Sequence, residues 1–447
     1  MIAARLSRRA FLGSLIGAPL VTLLSTPAKA QGRVEEVITS RGVRALLLRE
    51  PTLPFISLSF QFEAGAAQDP EGREGLAHML SGLLDEGAGP YDSEAFRRAL
   101  EDNAIRLSFD ADRDTFSGEL KTLNDTRALA FELLALALNQ PRFDEEPTER
   151  IRQQLLADLR RRETDPNYRA ARQWFAHAFA GHPYARPTRG TPESLARIEV
   201  EDLRAYQSRK LARANLHIGV AGDITAEELV PLLDQAFGPL IEEPELAPVV
   251  ETQPRTGGLL LERMPIPQSV VTFGHGGIDR QDPDYYAAYV VNYVLGGGGF
   301  SSRLTEEIRE KRGLAYGVYT YLYDARRAPL WLGGVATRND QVRRSIELVE
   351  SEVARIAREG IAARELEDAK TYLTGSFPLR LTSNDRVARM LAAISLQRLG
   401  RDYLERRNSY IEAVSLEDAN RVARRLFDEP ILFSVVGDPE GLEAQPG

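Results

Sequence analysis

Apolar residues recur at two periods along this chain, and the places where one period gives way to the other outline its organisation. Residues 55–62, Phe-Ile-Ser-Leu-Ser-Phe-Gln-Phe, alternate in part, as a half-buried strand does. Residues 145–163 instead carry Ile151, Leu155, Leu156 and Leu159 on one helical stripe. A second such helix is predicted over 340–358, with Val342, Ile346, Val349, Val353 and Ile356 in register. Two further runs, Asn215 to Asp223 and Ile431 to Asp438, read as buried strands that end in a Gly-Asp turn.

Those two runs belong to a wider pattern, a weak repeat offset by about 215 residues. Just before them, Val200-Glu201-Asp202-Leu203 and Leu416-Glu417-Asp418-Ala419 each open a helix. Near the front of each half a strand leads to Asp-Pro, from Phe60 to Pro70 and from Val270 to Pro283, and a helix follows from Gly75 and from Tyr285. So long a period points to two similar domains, not a solenoid. The Pro- and Glu-rich stretch 238–254 reads as their junction. Each half has strands first, helices in the middle and a strand last. That order predicts the α+β class, with a mixed or antiparallel sheet and helices on one face.

The chain has 447 residues and no cysteine, which removes disulfides and thiolate metal sites. Ser7-Arg8-Arg9-Ala10-Phe11-Leu12, an apolar run to Leu24, and Ala28-Lys29-Ala30 form a twin-arginine export pattern. It predicts cleavage after Ala30 and a periplasmic mature protein. The apolar run is short for a membrane span and is broken by Pro19; a retained anchor is the alternative. Four of the 56 basic residues fall in residues 1–30, leaving 52 against 65 acidic ones. That balance argues against nucleic acid and against electrostatic binding to anionic membranes.

In the segment Gly75-Leu76-Ala77-His78-Met79-Leu80-Ser81-Gly82, the stretch from His78 to Gly82 resembles the His-x-x-Glu-His helix of the pitrilysin/insulinase family of zinc peptidases. Ser81 stands at the glutamate position and Gly82 at the second histidine. The resemblance places the family's third ligand, a glutamate on a later helix, at Asp158. A serine has no basicity for activating water, and a glycine has no donor. His78 and Asp158 are therefore expected to face each other as a degenerate pair with no metal in this chain.

The second half is more intact. Gly296, Gly297, Gly298 and Gly299 precede Phe300, and the run leads through Arg309 to Tyr316 in Arg-Glu-Lys-Arg-Gly-Leu-Ala-Tyr. No Gly-Lys-Ser/Thr follows, so this is not a phosphate loop. Glycines allow positive φ and close approach of another backbone; a flexible turn is the plain alternative. Arg309 alone reads as a helix charge paired with Glu306 or Glu310, and Tyr316 alone as a core residue. Taken together they resemble the family's glycine-rich loop followed by an Arg and a Tyr. The resemblance implies that Arg309 and Tyr316 hold the substrate backbone and stabilise an oxyanion, with Gly296 to Phe300 binding substrate.

The expected protein is thus two homologous α+β domains forming half of a clamshell, with a signal peptide at 1–30, domains at 31–238 and 257–447, and a linker at 239–256. Its expected role is that of the zinc-free subunit of a periplasmic heteromeric metallopeptidase. A zinc-bearing relative would be the partner and peptides the substrate. Two alternatives stay open: a peptide-binding or assembly scaffold, and a self-sufficient peptidase with an altered site at His78 and Asp158.

Overall fold

A computed structural model describes residues 32–446; the twin-arginine segment lies outside them. Among the described residues, twelve strands build two open six-stranded sheets. The first contains β1 (Glu35–Ile38), β2 (Arg44–Arg49), β3 (Phe55–Phe62), β4 (Arg106–Ala111), β5 (Phe116–Leu123) and β6 (Leu216–Gly222), in the spatial order β1-β2-β6-β3-β5-β4. The second contains β7 (Gly258–Arg263), β8 (Gln268–Gly276), β9 (Ala315–Tyr323), β10 (Leu330–Arg338), β11 (Leu432–Gly437) and β12 (Gln445–Pro446), in the order β12-β7-β11-β8-β10-β9. In both sheets the late strand inserts at the centre. β6 runs parallel to β2 and antiparallel to β3. β11 does the same with β7 and β8. The 215-residue repeat is therefore a duplicated topology as well as a duplicated pattern.

The two long amphipathic helices form at Glu145–Arg162 and Val342–Glu359, and the second buries all five residues of its predicted stripe. Each half packs its own helices on one face of its sheet around a separate core. Between the last helix of the first half, which ends at Phe237, and β7 there is no helix or named strand.

The opposite face of each sheet is covered by a helix from the other half. Asn384–Leu396 lies across β2, β6 and β3, while Pro166–Ala178 lies across β11 and β8. This corrects the half-buried reading of β3: Ser57 and Ser59 are buried beside the apolar positions because the crossing helix covers them. The central strands are adapted to the crossing. A Cβ on Gly219 would stand 2.2 Å from the carbonyl oxygen of Ala388 and 2.4 Å from the nitrogen of Ala392. The crossing helix thus rests directly on the backbone of β6. At the corresponding place on β11, the Ser434 hydroxyl donates to the Ala170 carbonyl at 2.9 Å and the Trp174 indole donates to the Leu432 carbonyl at 3.1 Å. Leu46, Leu48, Val387, Ala388 and Leu391 close one seam between the halves, and Trp174, Phe179, Tyr184, Leu330 and Leu432 close the other.

Candidate functional site

The degenerate metal motif sits on a helix of six residues, Leu76–Ser81. Gly75 precedes it at φ 91°, and the Asp69 carboxylate accepts from the Gly75 and Ala77 amides at 2.8 and 3.0 Å, holding the first turn. The Ser81 hydroxyl turns back to the His78 carbonyl at 2.8 Å, and Gly82 closes the helix. A Cβ on Gly82 would meet Ile151 Cγ2 at 3.2 Å, so a side chain at the second ligand position would crowd the long helix beneath it.

His78 and Asp158 are brought together by a third residue that the sequence did not single out. Arg189 Nη1 is 2.6 Å from His78 Nε2 and 3.9 Å from the Asp158 carboxylate. A guanidinium has only donors, so Nε2 accepts and the imidazole proton sits on Nδ1. Burial, followed by the nearby Arg189 charge, pushes the His78 pKa down to about 4, so the ring is neutral at pH 7. Asp158 also receives Arg161 and Arg162. Burial pushes its pKa up, but the hydrogen bonds from Arg162 and Arg161 outweigh this and hold it below the ordinary aspartate value.

A hydrolytic zinc centre needs three protein ligands and an open position. Here one imidazole and one carboxylate both face the Arg189 guanidinium, and among the described residues no cluster of three His, Cys, Asp or Glu side chains could hold a metal ion. The donor set does not fit zinc, and no step of hydrolysis can be derived through this half of the chain.

The other predicted residues form a second cluster. The helix starting at Tyr285 ends in a π-type turn, Tyr293–Gly297, that is pinned to the sheet by buried Asn292. The Asn292 side-chain Oδ1 accepts from the Thr320 hydroxyl at 2.8 Å and the Trp331 indole at 3.0 Å. The glycine run is not free backbone throughout. A Cβ on Gly296 would stand 2.4 Å from Thr320 Oγ1, one on Gly297 2.8 Å from Asn292 Nδ2, and one on Gly298 2.8 Å from the Tyr293 carbonyl. Three of the four are therefore needed for internal packing. Gly299 alone, at φ 57° with open space around it, has the conformational freedom expected of the whole run.

Phe300, Arg309 and Tyr316 converge just beyond this turn. The Arg309 guanidinium carbon lies 4.5 Å from the Phe300 ring centroid and 5.1 Å from that of Tyr316. Its Nε is 3.4 Å from Glu310, a single loose ion pair. Tyr316 is 89 % exposed and Phe300 74 % exposed, so Tyr316 is no core residue. The cation stacks between two rings that cover it only in part, and its donors stay open to a ligand. Arg303 ties the segment down through a two-pronged pair with Glu365 at 2.6 and 2.7 Å. Tyr316 is on β9, an edge strand, where Tyr319 and Tyr321 are also exposed.

Two duplicated α+β halves, one with a dismantled inverted-zinc motif and one with an arginine–aromatic cluster, define the class as a zinc-peptidase scaffold whose own metal half has been lost. The family model described as insulinase (peptidase family M16) matches residues 44–192, and that of the peptidase M16 inactive domain matches 197–373. The "non-peptidase homolog YmxG" of Helicobacter pylori is 29 % identical over 358 residues, covering 79 % of this chain and 82 % of that protein. The "uncharacterized zinc protease YmxG" of Bacillus subtilis is 23 % identical over 410 residues, covering 91 % and 99 %. A peptidase M16 inactive domain from Pseudomonas fluorescens has the same fold at a TM-score of 0.86 with 27 % identity, covering 92 % of this chain and 99 % of that one. The chain belongs to the insulinase, or M16, family and is one of its inactive-type homologues.

Proposed function

We propose that this chain is the zinc-free subunit of a heteromeric M16 peptidase, exported to the periplasm, and that it positions extended peptides for a zinc-bearing relative. The observation that carries the reading is the Arg309 guanidinium, itself partly exposed, stacked between the exposed rings of Phe300 and Tyr316 at the end of the glycine turn. A guanidinium and a phenol are donors suited to a peptide carbonyl and to the oxyanion that forms on it. Edge strand β9, with Tyr316, Tyr319 and Tyr321 outward, offers unpaired backbone for an extended peptide to add to. The zinc and its activated water would belong to the partner. The halves 31–238 and 257–447 would act as one clamp, with 239–256 as their connector.

Co-purification from the native periplasm, with zinc measured in the complex, tests the assembly. Activity is expected only in the complex, and Arg309→Ala or Tyr316→Phe should lower kcat about 100-fold, the scale of a lost oxyanion donor. Full activity of the double variant in a zinc-loaded complex would overturn the reading. The exposed β9 edge also supports a second reading, a peptide-holding scaffold with no peptidase partner. In that case the same variants would weaken peptide binding by the isolated chain, and no zinc-bearing relative would co-purify.

A further inference from the structure

Behind the crossing helix Asn384–Leu396 lies a cavity of about 220 Å³ that is separate from both clusters above. The crossing helix rests on β6 through Ala388, Leu391 and Ala392, and turns Met390 and Ala393 toward the cavity. The helices Tyr285–Asn292 and Tyr403–Glu412 supply the aromatic walls.

Three guanidiniums line this one cavity, and their surroundings are unusual for the chain. Arg280 stacks on Tyr285 with its guanidinium carbon 4.0 Å from the ring centroid, and it donates to the Tyr403 and Tyr286 hydroxyls at 2.8 and 3.1 Å. Arg407 is buried, stacks on Phe377 at 4.3 Å and donates to the Leu373 carbonyl at 3.1 Å. Arg380 is exposed at the rim. Among the described residues none of the three has a carboxylate within 4.0 Å. Elsewhere the arginines of this chain are widely paired with Asp or Glu, as Arg303 is with Glu365 and Arg425 with Asp282. The single carboxylate in the lining, Asp324, accepts from Tyr285 and Gln397 through Oδ2, while its buried Oδ1 has no hydrogen-bond partner.

Arg280 and Arg407 are hydrogen-bonded to phenol, carbonyl and amide oxygens and stacked on rings, but these partners are neutral and leave each charge without a carboxylate in contact. Three guanidiniums lining one space whose walls mix aromatic rings with polar groups, against one acid, give that space a positive field. The phenol and phenylalanine walls exclude a bare hydrated ion and favour an apolar body of side-chain size.

We propose that this cavity binds a small organic carboxylate with an aromatic or aliphatic body, the carboxylate meeting Arg280, Arg380 and Arg407 and the body packing against the tyrosines and Met390. A free N-acylated amino acid and the C-terminal residue of a short peptide both present this chemistry. Because the site is separate from Arg309 and Tyr316, it stands whether or not the chain has a peptidase partner.

The test is calorimetry or saturation-transfer NMR on the purified chain with N-acetylphenylalanine, its amide, and tripeptides ending in phenylalanine with a free or an amidated terminus. The acid is expected to bind at least tenfold tighter than the amide, and more weakly as salt rises. Tight binding of both free-acid probes identifies a terminal-residue pocket, whereas binding of the amino acid alone identifies a small-metabolite pocket; either supports the proposal. Arg380→Gln, at an exposed position that leaves folding intact, should weaken binding about tenfold. Ala393→Phe, which fills the cavity from the crossing helix, should abolish it while the circular dichroism spectrum is unchanged. Equal binding of acid and amide, no effect of either variant, or no binding of any probe at 10 mM would each overturn it.

Discussion

The arginine shared by His78 and Asp158 gives the sharpest quantitative expectation. A zinc ion bound to His78 Nε2 would sit about 2.1 Å from that nitrogen along its lone pair. The direction is already taken by Arg189 Nη1 at 2.6 Å, so metal and guanidinium cannot share the site. Consider, then, a chain given back its missing donors by Gly82→His and Asp158→Glu. Were Arg189 to withdraw only to about 4 Å, its repulsion with a divalent ion would be about 8 kcal/mol, twice the ~4 kcal/mol of two unit charges at an effective dielectric near 20. That is about six powers of ten in Kd. Arg189 is about one-third exposed and can swing outward, in which case the penalty falls to its lost hydrogen bond, ~1–3 kcal/mol, or about 5- to 150-fold. The repaired double variant should therefore bind zinc at least about fivefold more weakly than the triple variant that also carries Arg189→Ala. Metal-buffered zinc titration with a competing chelator reads the two constants, and circular dichroism confirms both folds. Ile151 must yield a few tenths of an ångström to the new histidine in both, so that cost cancels. Equal zinc affinity in the double and triple variants would refute the view that Arg189 holds the metal position.

Other perturbations have equally definite signs. Gly219→Ala drives a methyl into the Ala388 carbonyl and should cost about 1–3 kcal/mol, read as a lowered denaturation midpoint, whereas Gly42→Ala, in open space, should cost only the strain of its left-handed backbone, about 1 kcal/mol. Trp174→Ala empties the seam over β11 and should cost about 3–5 kcal/mol. Because the folded-state pKa of His78 is depressed to about 4, the unfolded chain takes up its proton first; stability from this group is complete above pH 6.5 and is lost as pH falls from there toward 4. Denaturant titrations of the wild type and His78→Gln should therefore diverge in favour of the variant across that window, and parallel curves would show that His78 is not buried as described.

The sequence carried the repeat, both long helices and the degenerate motif, because each is written in local periodicity or in spacing along one element. It also brought Phe300, Arg309 and Tyr316 to notice together, since a turn, a helix and the start of a strand join them within a short stretch of chain. What it hid was tertiary. Nothing in the stripe of Asn384–Leu396 says that its apolar face belongs on the other half's sheet; the available hint is Gly219 among the apolar residues of β6. Arg189 is 111 residues from His78 in an irregular segment with no periodicity to mark it. The glycine run by itself suggests open backbone, but Asn292, Thr320 and Tyr293, which consume three of its four positions, reach it from a helix and a neighbouring strand.

The helix exchange has a consequence for how this chain can be divided. A protease nick between Ile241 and Gly257 would sever the connection by sequence yet leave Trp174 bonded into one fragment's sheet and Leu391 seated on the other's. The two pieces should travel together on a sizing column and part only in denaturant. Expressed singly, each would present a naked sheet face and aggregate; expressed together, they should reconstitute. Neither half should be exchangeable for a relative's without importing its crossing helix as well.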